Sequence, residues 1–216
     1  FYNCTSLNGP SNIGSWNVSQ SNSFSHIFAG ATSFNQPIYW NIYSEAGVSY
    51  MFAGATSFNQ PIYWSFNNSG NAVGMFQGAT SFDQNMGNYH IRNALGDNTI
   101  YLNNMFDNSG MSCQNYYNTL LGWKNFYIAS GPISFQNQTN NATLGVLNIN
   151  LDSTTLALRD YFTSIKNWTF LGDSLINNCC AYATNTITVS VCDSFIFNNQ
   201  TLSSSGTYYD TLVNFY

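Results

Sequence analysis

The sequence predicts a repeat solenoid built from a short strand plus a helical turn per coil, followed by an α/β cap and the opening of an all-β sandwich module. Three observations carry this. The thirteen residues from Phe28 to Trp40 return unchanged from Phe52 to Trp64, a step of 24 residues, and decay into a third copy over Phe76–Gln84. After Met105-Phe106 the repeat gives way to longer stretches with helical spacing of apolar residues. From Thr186 onward apolar and polar residues alternate, the period of a half-buried strand. The expected boundaries are 1–110 for the repeats, 111–180 for the cap and 181–216 for the β-module.

A fixed period of this size means that each unit covers the apolar face of its neighbour. Equivalent slots then fall into register, with Phe28, Phe52, Phe76 and Phe106 in one inward column and Phe34, Phe58 and Phe82 in another. Asn35, Asn59 and Asp83, followed by Gln36, Gln60 and Gln84, occupy the bend of each unit. There their side chains can satisfy backbone groups that a turn leaves open. A polar stripe for sugars or ions is the alternative, although one Asp offers too few carboxylate oxygens for calcium.

Gly30, Gly54 and Gly78 suit a left-handed residue closing a helical turn. Pro37 and Pro61 open Ile-Tyr-Trp segments with the composition of short strands. Trp16, Trp40 and Trp64 keep the same step, so residues 7–19 read as a degenerate leading unit. The wider gap before Phe106 places an insertion near Ile91–Asn98.

The motif Met-Phe-x-Gly-Ala-Thr-Ser-Phe-Asn-Gln-Pro-Ile-x-x-Trp resembles the bacterial surface repeat of the BspA-like kind, a relative of leucine-rich repeats, over roughly residues 7–110. It departs in its 24-residue step and in carrying Asn41 or Ser65 where an acidic residue usually follows Trp. The resemblance implies a leucine-rich-repeat-like solenoid in a cell-surface protein of Bacteroidota type, exported by type IX secretion. It also implies O-glycosylation at Asp-Ser/Thr-apolar patterns, here at Ser153, Ser174 and Thr211. Helix capping or turn formation is the plainer role for those residues.

In the cap, Ser112 is placed to start a helix with Tyr116, Leu120 and Trp123 on one face, weakened at Gly122. Asp152 or Ser153 starts a second, whose stripe runs Leu151, Thr155, Leu158, Phe162, Ile165 and ends at Asn167-Trp168. The tail from Thr186 to Leu202, with Ser205 to Leu212, reads as a hairpin. It resembles β-sandwich repeats of secreted adhesin-like proteins and looks cut short after Tyr216. A first residue of Phe1 with no signal segment likewise suggests a mature or partial chain.

Cys4, Cys113, Cys179, Cys180 and Cys192 make an odd set without zinc-ligand spacing. An oxidising compartment is expected, with Cys113 bridged to Cys179 or Cys180 and Cys192 paired elsewhere. A directly bonded Cys179–Cys180 pair is the strained alternative. Seven N-x-S/T sequons, at Asn3, Asn17, Asn67, Asn137, Asn141, Asn167 and Asn199, follow from an Asn-rich composition and show little beyond polarity.

Only 6% of residues are charged, against about 25% in average soluble proteins. The four basic residues, Arg92, Lys124, Arg159 and Lys166, are too few and too scattered for nucleic acid. No apolar run reaches membrane-spanning length. The imidazoles are His26, in a repeat slot shared with Tyr50 and Gly74, and His90, in the insertion. Glu45, Asp83, Asp97 and Asp107 sit singly in different units, so neither a triad nor a carboxylate pair is indicated. The expectation is a protein without cofactor or enzymatic activity, an extracellular adhesion or recognition scaffold. Its ligand would be a surface glycan or protein, met by a face bearing Tyr39, Tyr63, Tyr43 and Tyr50. The alternative is a subunit of an extracellular filament or sheath, binding copies of itself; a carbohydrate-active enzyme comes third.

Overall fold

The computed structural model describes residues 1–40, 42, 47–62, 71–89, 101–129, 141–176, 195–197 and 200–202. The chain divides into two compact units, Phe1–Cys179 and Cys180–Tyr216.

Backbone hydrogen bonding explains the shape of the repeated segments. The N–H groups of Phe24, His26, Phe28 and Gly30 donate to Gly47, Ser49, Met51 and Ala53 of the next segment, at 2.8, 3.0, 3.0 and 2.7 Å. The N–H groups between them turn inward, Ile27 to Phe24 O, Ala29 to His26 O and Ala31 to Phe28 O. Donors thus alternate between the neighbour and a local turn, which is neither helix nor strand. The pattern repeats from Tyr50, Phe52 and Gly54 onto Val73, Met75 and Gln77, and from Gly74, Phe76 and Gly78 onto Asn103, Met105 and Asp107. Gly30, Gly54 and Gly78 hold the left-handed backbone that this zigzag needs, at φ 70°, 68° and 71°.

This overturns the expectation of leucine-rich-repeat-like coils. Among the described residues of the repeat region no α-helix forms, and Ile38–Trp40 is not a strand; Tyr39 N–H and the Trp40 indole N–H donate to Gly14 O and Ile13 O. The left-handed residue in every segment stops a helix after one turn, and Pro37 and Pro61 remove ladder donors. The regular elements lie later: β1 (Tyr101–Leu102), α1 (Cys113–Ala129), β2 (Thr143–Gly145), β3 (Asn150–Leu151), α2 (Ser153–Lys166), β4 (Thr169–Leu171) and β5 (Ser174–Leu175). Among the described residues of the first unit two small parallel sheets, β1-β2-β4 and β3-β5, accompany helices α1 and α2. The first unit is a mixed α/β domain rather than a leucine-rich-repeat solenoid.

The core is aromatic. Phe28, Phe52, Phe76 and Phe106 stack at 5.5, 5.7 and 5.9 Å between ring centroids, and Phe34, Phe58 and Phe82 at 5.9 and 6.1 Å. Within each segment the two rings lie closer, Phe52 to Phe58 at 3.9 Å. All seven are fully buried. Burial of each ring is worth about 1.5–3 kcal/mol, and each aromatic pair adds about 0.5–1.5 kcal/mol. Phe1 stacks on Phe28 at one end, and Trp123 of α1 lies 6.5 Å from Phe106 at the other.

Helix α1 is positioned by that contact. Tyr116, Leu120, Trp123 and Tyr127 form its buried face, and the Trp123 indole N–H donates to Met86 O at 2.9 Å. Gly122 does not end the helix, which runs on to Ala129. A Cβ at Gly122 would stand 2.4 Å from Gly87 Cα, so glycine is there to let two backbones meet. Segment-to-segment pairing continues past α1, with Phe106 N–H donating to Gly145 O, Asn108 to Leu147 O and Val146 to Leu171 O.

Helix α2 starts where expected, with Asp152 accepting from Thr155 N–H at 2.9 Å, and ends on left-handed Asn167 at φ 55°. Its buried stripe is Thr155, Leu158, Phe162 and Lys166, whereas Ile165 is 65% exposed. The spacing i, i+3, i+7, i+11 turns the last inward position onto Lys166, whose ammonium lies 4.8 Å over the Tyr127 ring. In the second unit β6 (Phe195–Phe197) and β7 (Gln200–Leu202) pair antiparallel. Both strands lie within the Thr186–Leu202 part of the tail read as a hairpin.

Candidate recognition surface

The slot of Asn35, Asn59 and Asp83 forms a continuous ladder. Asn8 Oδ1 accepts from Asn35 N–H at 2.7 Å, Asn35 Oδ1 from Asn59 N–H at 2.9 Å, and Asn59 Oδ1 from Asp83 N–H at 2.9 Å. Gln60 and Gln84 donate their amides to Asn35 and Asn59 Oδ1 at 3.1 and 2.8 Å. Asp83 ends the ladder on Ser112 N–H and Asn115 Nδ2, at 2.7 and 2.9 Å. These oxygens face backbone and amide donors of their own chain.

The tyrosines are more open. Tyr39 is 61% exposed, and its N–H donates to Gly14 O at 3.1 Å. Tyr50 is half-buried. Tyr43 and Tyr63 lie outside the described residues.

Tyr50, expected on the binding face, belongs to a row with His26, which sequence reasoning placed in the same slot but gave no part in binding. His26, Tyr50, Gly74 and Asn104 hold left-handed backbone at φ 62°, 57°, 59° and 57°. Glycine, asparagine and histidine are found in this conformation more than other residues; a tyrosine is strained there by about 1–2 kcal/mol. His26 stacks on Tyr50 with centroids 5.0 Å apart, and Tyr2, 62% exposed, meets His26 edge-on at 6.3 Å. The Tyr50 ring lies over Gly74, where an added Cβ would come within 2.3 Å of it. Gly74 in the slot of His26 and Tyr50 was the sequence signal for this conformation. Ser49 donates to Asn71 Oδ1 at 2.7 Å beside the row.

Elsewhere, side chains anticipated as sites are engaged in structure. Ser153 is the exposed first residue of α2, and Ser174 is exposed in β5; Thr211 lies outside the described residues. Asp173, before Ser174, is held by Arg159 at 2.9 Å and by Tyr116 Oη at 3.0 Å. Cys4 is an exposed free thiol, and Cys113 is disulfide-bonded. Cys179, Cys180 and Cys192 lie outside the described residues, as do Glu45, His90 and Asp97. Asp107 is almost buried and accepts from Asn104 Nδ2 and Leu147 N–H at 2.6 and 2.9 Å. Among the described residues no three His, Cys, Asp or Glu side chains group as metal ligands. No helix among them is long and apolar enough to cross a membrane.

Fold and surface together define a mixed α/β repeat protein with stacked aromatic columns inside and an aromatic row outside. Residues 1–119 match the model of the family described as "Mycoplasma protein of unknown function, DUF285". The chain belongs to that family, and the match covers the repeats on which the likeness to surface proteins rests. No curated protein and no solved structure matches it.

Proposed function

We propose that this chain is a non-catalytic adhesion or recognition scaffold displayed outside the cell, with a surface glycan or a surface protein as ligand. The BspA-like resemblance of the repeats is the sequence support. The observation that carries the reading is the Tyr2–His26–Tyr50 row, in which His26 and Tyr50 hold rings in a left-handed slot where Gly74 and Asn104 stand in later segments and Tyr2 meets His26 edge-on. Strain of this kind persists where the surroundings and a use for it maintain it. With few charges, the face would select by ring contact and hydroxyl or amide hydrogen bonds.

The test takes the replacements from the slot itself. His26→Asn with Tyr50→Gly keeps the left-handed backbone and removes both rings. Wild-type protein is expected to bind members of a glycan or host-surface protein array, and the double variant to lose that binding while it still folds, as circular dichroism and a cooperative unfolding transition show. Equal binding by both would remove this row from the proposal, and no binding by wild type to any surface would end it.

A further inference from the structure

We propose that Asn8 is a built-in deamidation site, the outermost rung of the amide ladder being converted to a carboxylate with time. Asn8-Gly9 is the sole Asn-Gly pair in the chain. Three features of the fold leave it open to the reaction. Asn8 is exposed to water. Its Oδ1 accepts from Asn35 N–H at 2.7 Å, which draws electron density from Cγ and makes that carbon a better electrophile. Among the described residues, neither the Gly9 N–H nor the Asn8 Nδ2 group makes a hydrogen bond, so attacking and leaving nitrogens are both unheld.

The step balances without an oxidant or reductant. Gly9 N, losing its proton to solvent, bonds to Asn8 Cγ; the Cγ–Nδ2 bond breaks and ammonia leaves, giving a five-membered imide. Water then opens either carbonyl, producing aspartate or isoaspartate and one new negative charge. Asparagine is among the residues proteins lose this way.

The fold keeps the glycine that permits the attack. Gly9 has φ 77°, and a Cβ there would press on Ile13 Cδ1 and Phe34 Cε2, each at 3.3 Å. A substitution that slowed the reaction would strain the turn and crowd the core. Asn35 and Asn59 carry the same kind of bond from Oδ1 but precede Gln36 and Gln60, whose side chains hinder the approach of nitrogen. They are internal controls. The aspartyl product keeps its acceptor for Asn35 N–H, as Asp83 does for Ser112 N–H. The isoaspartyl product lengthens the main chain by one carbon and loosens the first rung.

The experiment ages the purified folded chain in heavy-oxygen water at mildly alkaline pH and maps its peptides by mass spectrometry. The Asn8 peptide is expected to be replaced by paired aspartyl and isoaspartyl forms carrying the label, while Asn35 and Asn59 remain amides. Asn8→Gln should abolish the labelled pair. The proposal is overturned if Asn8 converts no faster than Asn35 and Asn59, or if it converts only when the chain is unfolded in urea.

Discussion

The Asp83 carboxylate accepts the Ser112 N–H at 2.7 Å, joining the end of the amide ladder to the start of α1. Asn115 Nδ2 reaches the same oxygen at 2.9 Å. The acid stands where earlier rungs carry Asn35 and Asn59 because its acceptor now faces the first turn of a helix, whose dipole favours negative charge.

Asp83→Asn should therefore cost about 0.3–1 kcal/mol, since the acceptor oxygen survives and the charge does not. Asp83→Ala, which strands two donors, should cost about 1–3 kcal/mol. Urea unfolding midpoints at constant m separate the two. A larger loss for Asn than for Ala would refute the charge argument.

The fully buried Phe58 touches both columns, with rings at 3.9 Å from Phe52 and 6.1 Å from Phe82. Phe58→Ala should cost about 3–5 kcal/mol, and Phe58→Leu less because the cavity is smaller. Calorimetry reads this as a lowered Tm with one cooperative transition. If Leu and Ala were equally harmful, loss of ring stacking rather than loss of volume would account for the damage.

Gly74→Ala meets two obstacles, the left-handed φ of 59° and the Tyr50 ring at 2.3 Å. The backbone part is about 1–2 kcal/mol. Adding Tyr50→Ala should recover the steric part and leave the backbone part, a positive coupling in a double-mutant cycle. Strict additivity would show that the ring moves aside at no cost.

Burial holds the Tyr89 and Tyr116 hydroxyls protonated well above the usual phenol range, reinforced at Tyr116 by the neighbouring Asp173. A folded-state pKa above the unfolded value gives stability that is intact below about pH 10 and lost as pH climbs through the folded pKa. Lys166 is lowered by desolvation, so its contribution has the opposite sign and grows as pH rises toward its unfolded value. Tyr161 is raised by burial as well, so three raised phenols act against one lowered ammonium, and alkaline unfolding should begin above about pH 10. Ultraviolet titration is expected to show exposed tyrosines ionising first and a delayed group ionising with the loss of near-ultraviolet circular dichroism. Phe substitutions at Tyr89 and Tyr116 should shrink the delayed group.

Register was legible in the sequence, and conformation less so. Identical Phe and Asn slots at a fixed step showed which residues would meet, because stacking needs equivalence and not a particular backbone. The same step could not distinguish a helical turn from the alternating donors seen between Phe24 and Ala31, since a repeat period fixes which residues are equivalent and not where each N–H donates. In the helices, capping by Asp152 and the stripe through Phe162 were readable, whereas Lys166 was hidden because its stem, not its charge, fills the inward position. The outer row was half legible: the shared slot of His26, Tyr50 and Gly74 and the candidacy of Tyr50 were readable, but the stacking of His26 and Tyr2 with it was not, because they mark no motif by themselves.

Cross-segment pairing uses so few residues that the chain between paired stretches is free in length. Phe28 reaches Met51, Phe76 reaches Met105 and Phe106 reaches Gly145 through the same kind of bond, although progressively more sequence intervenes and the last interval holds all of α1. Such a design separates what is inherited from what is negotiable. A lineage could lengthen, shorten or replace the intervening stretches while the stack underneath stays recognisably the same.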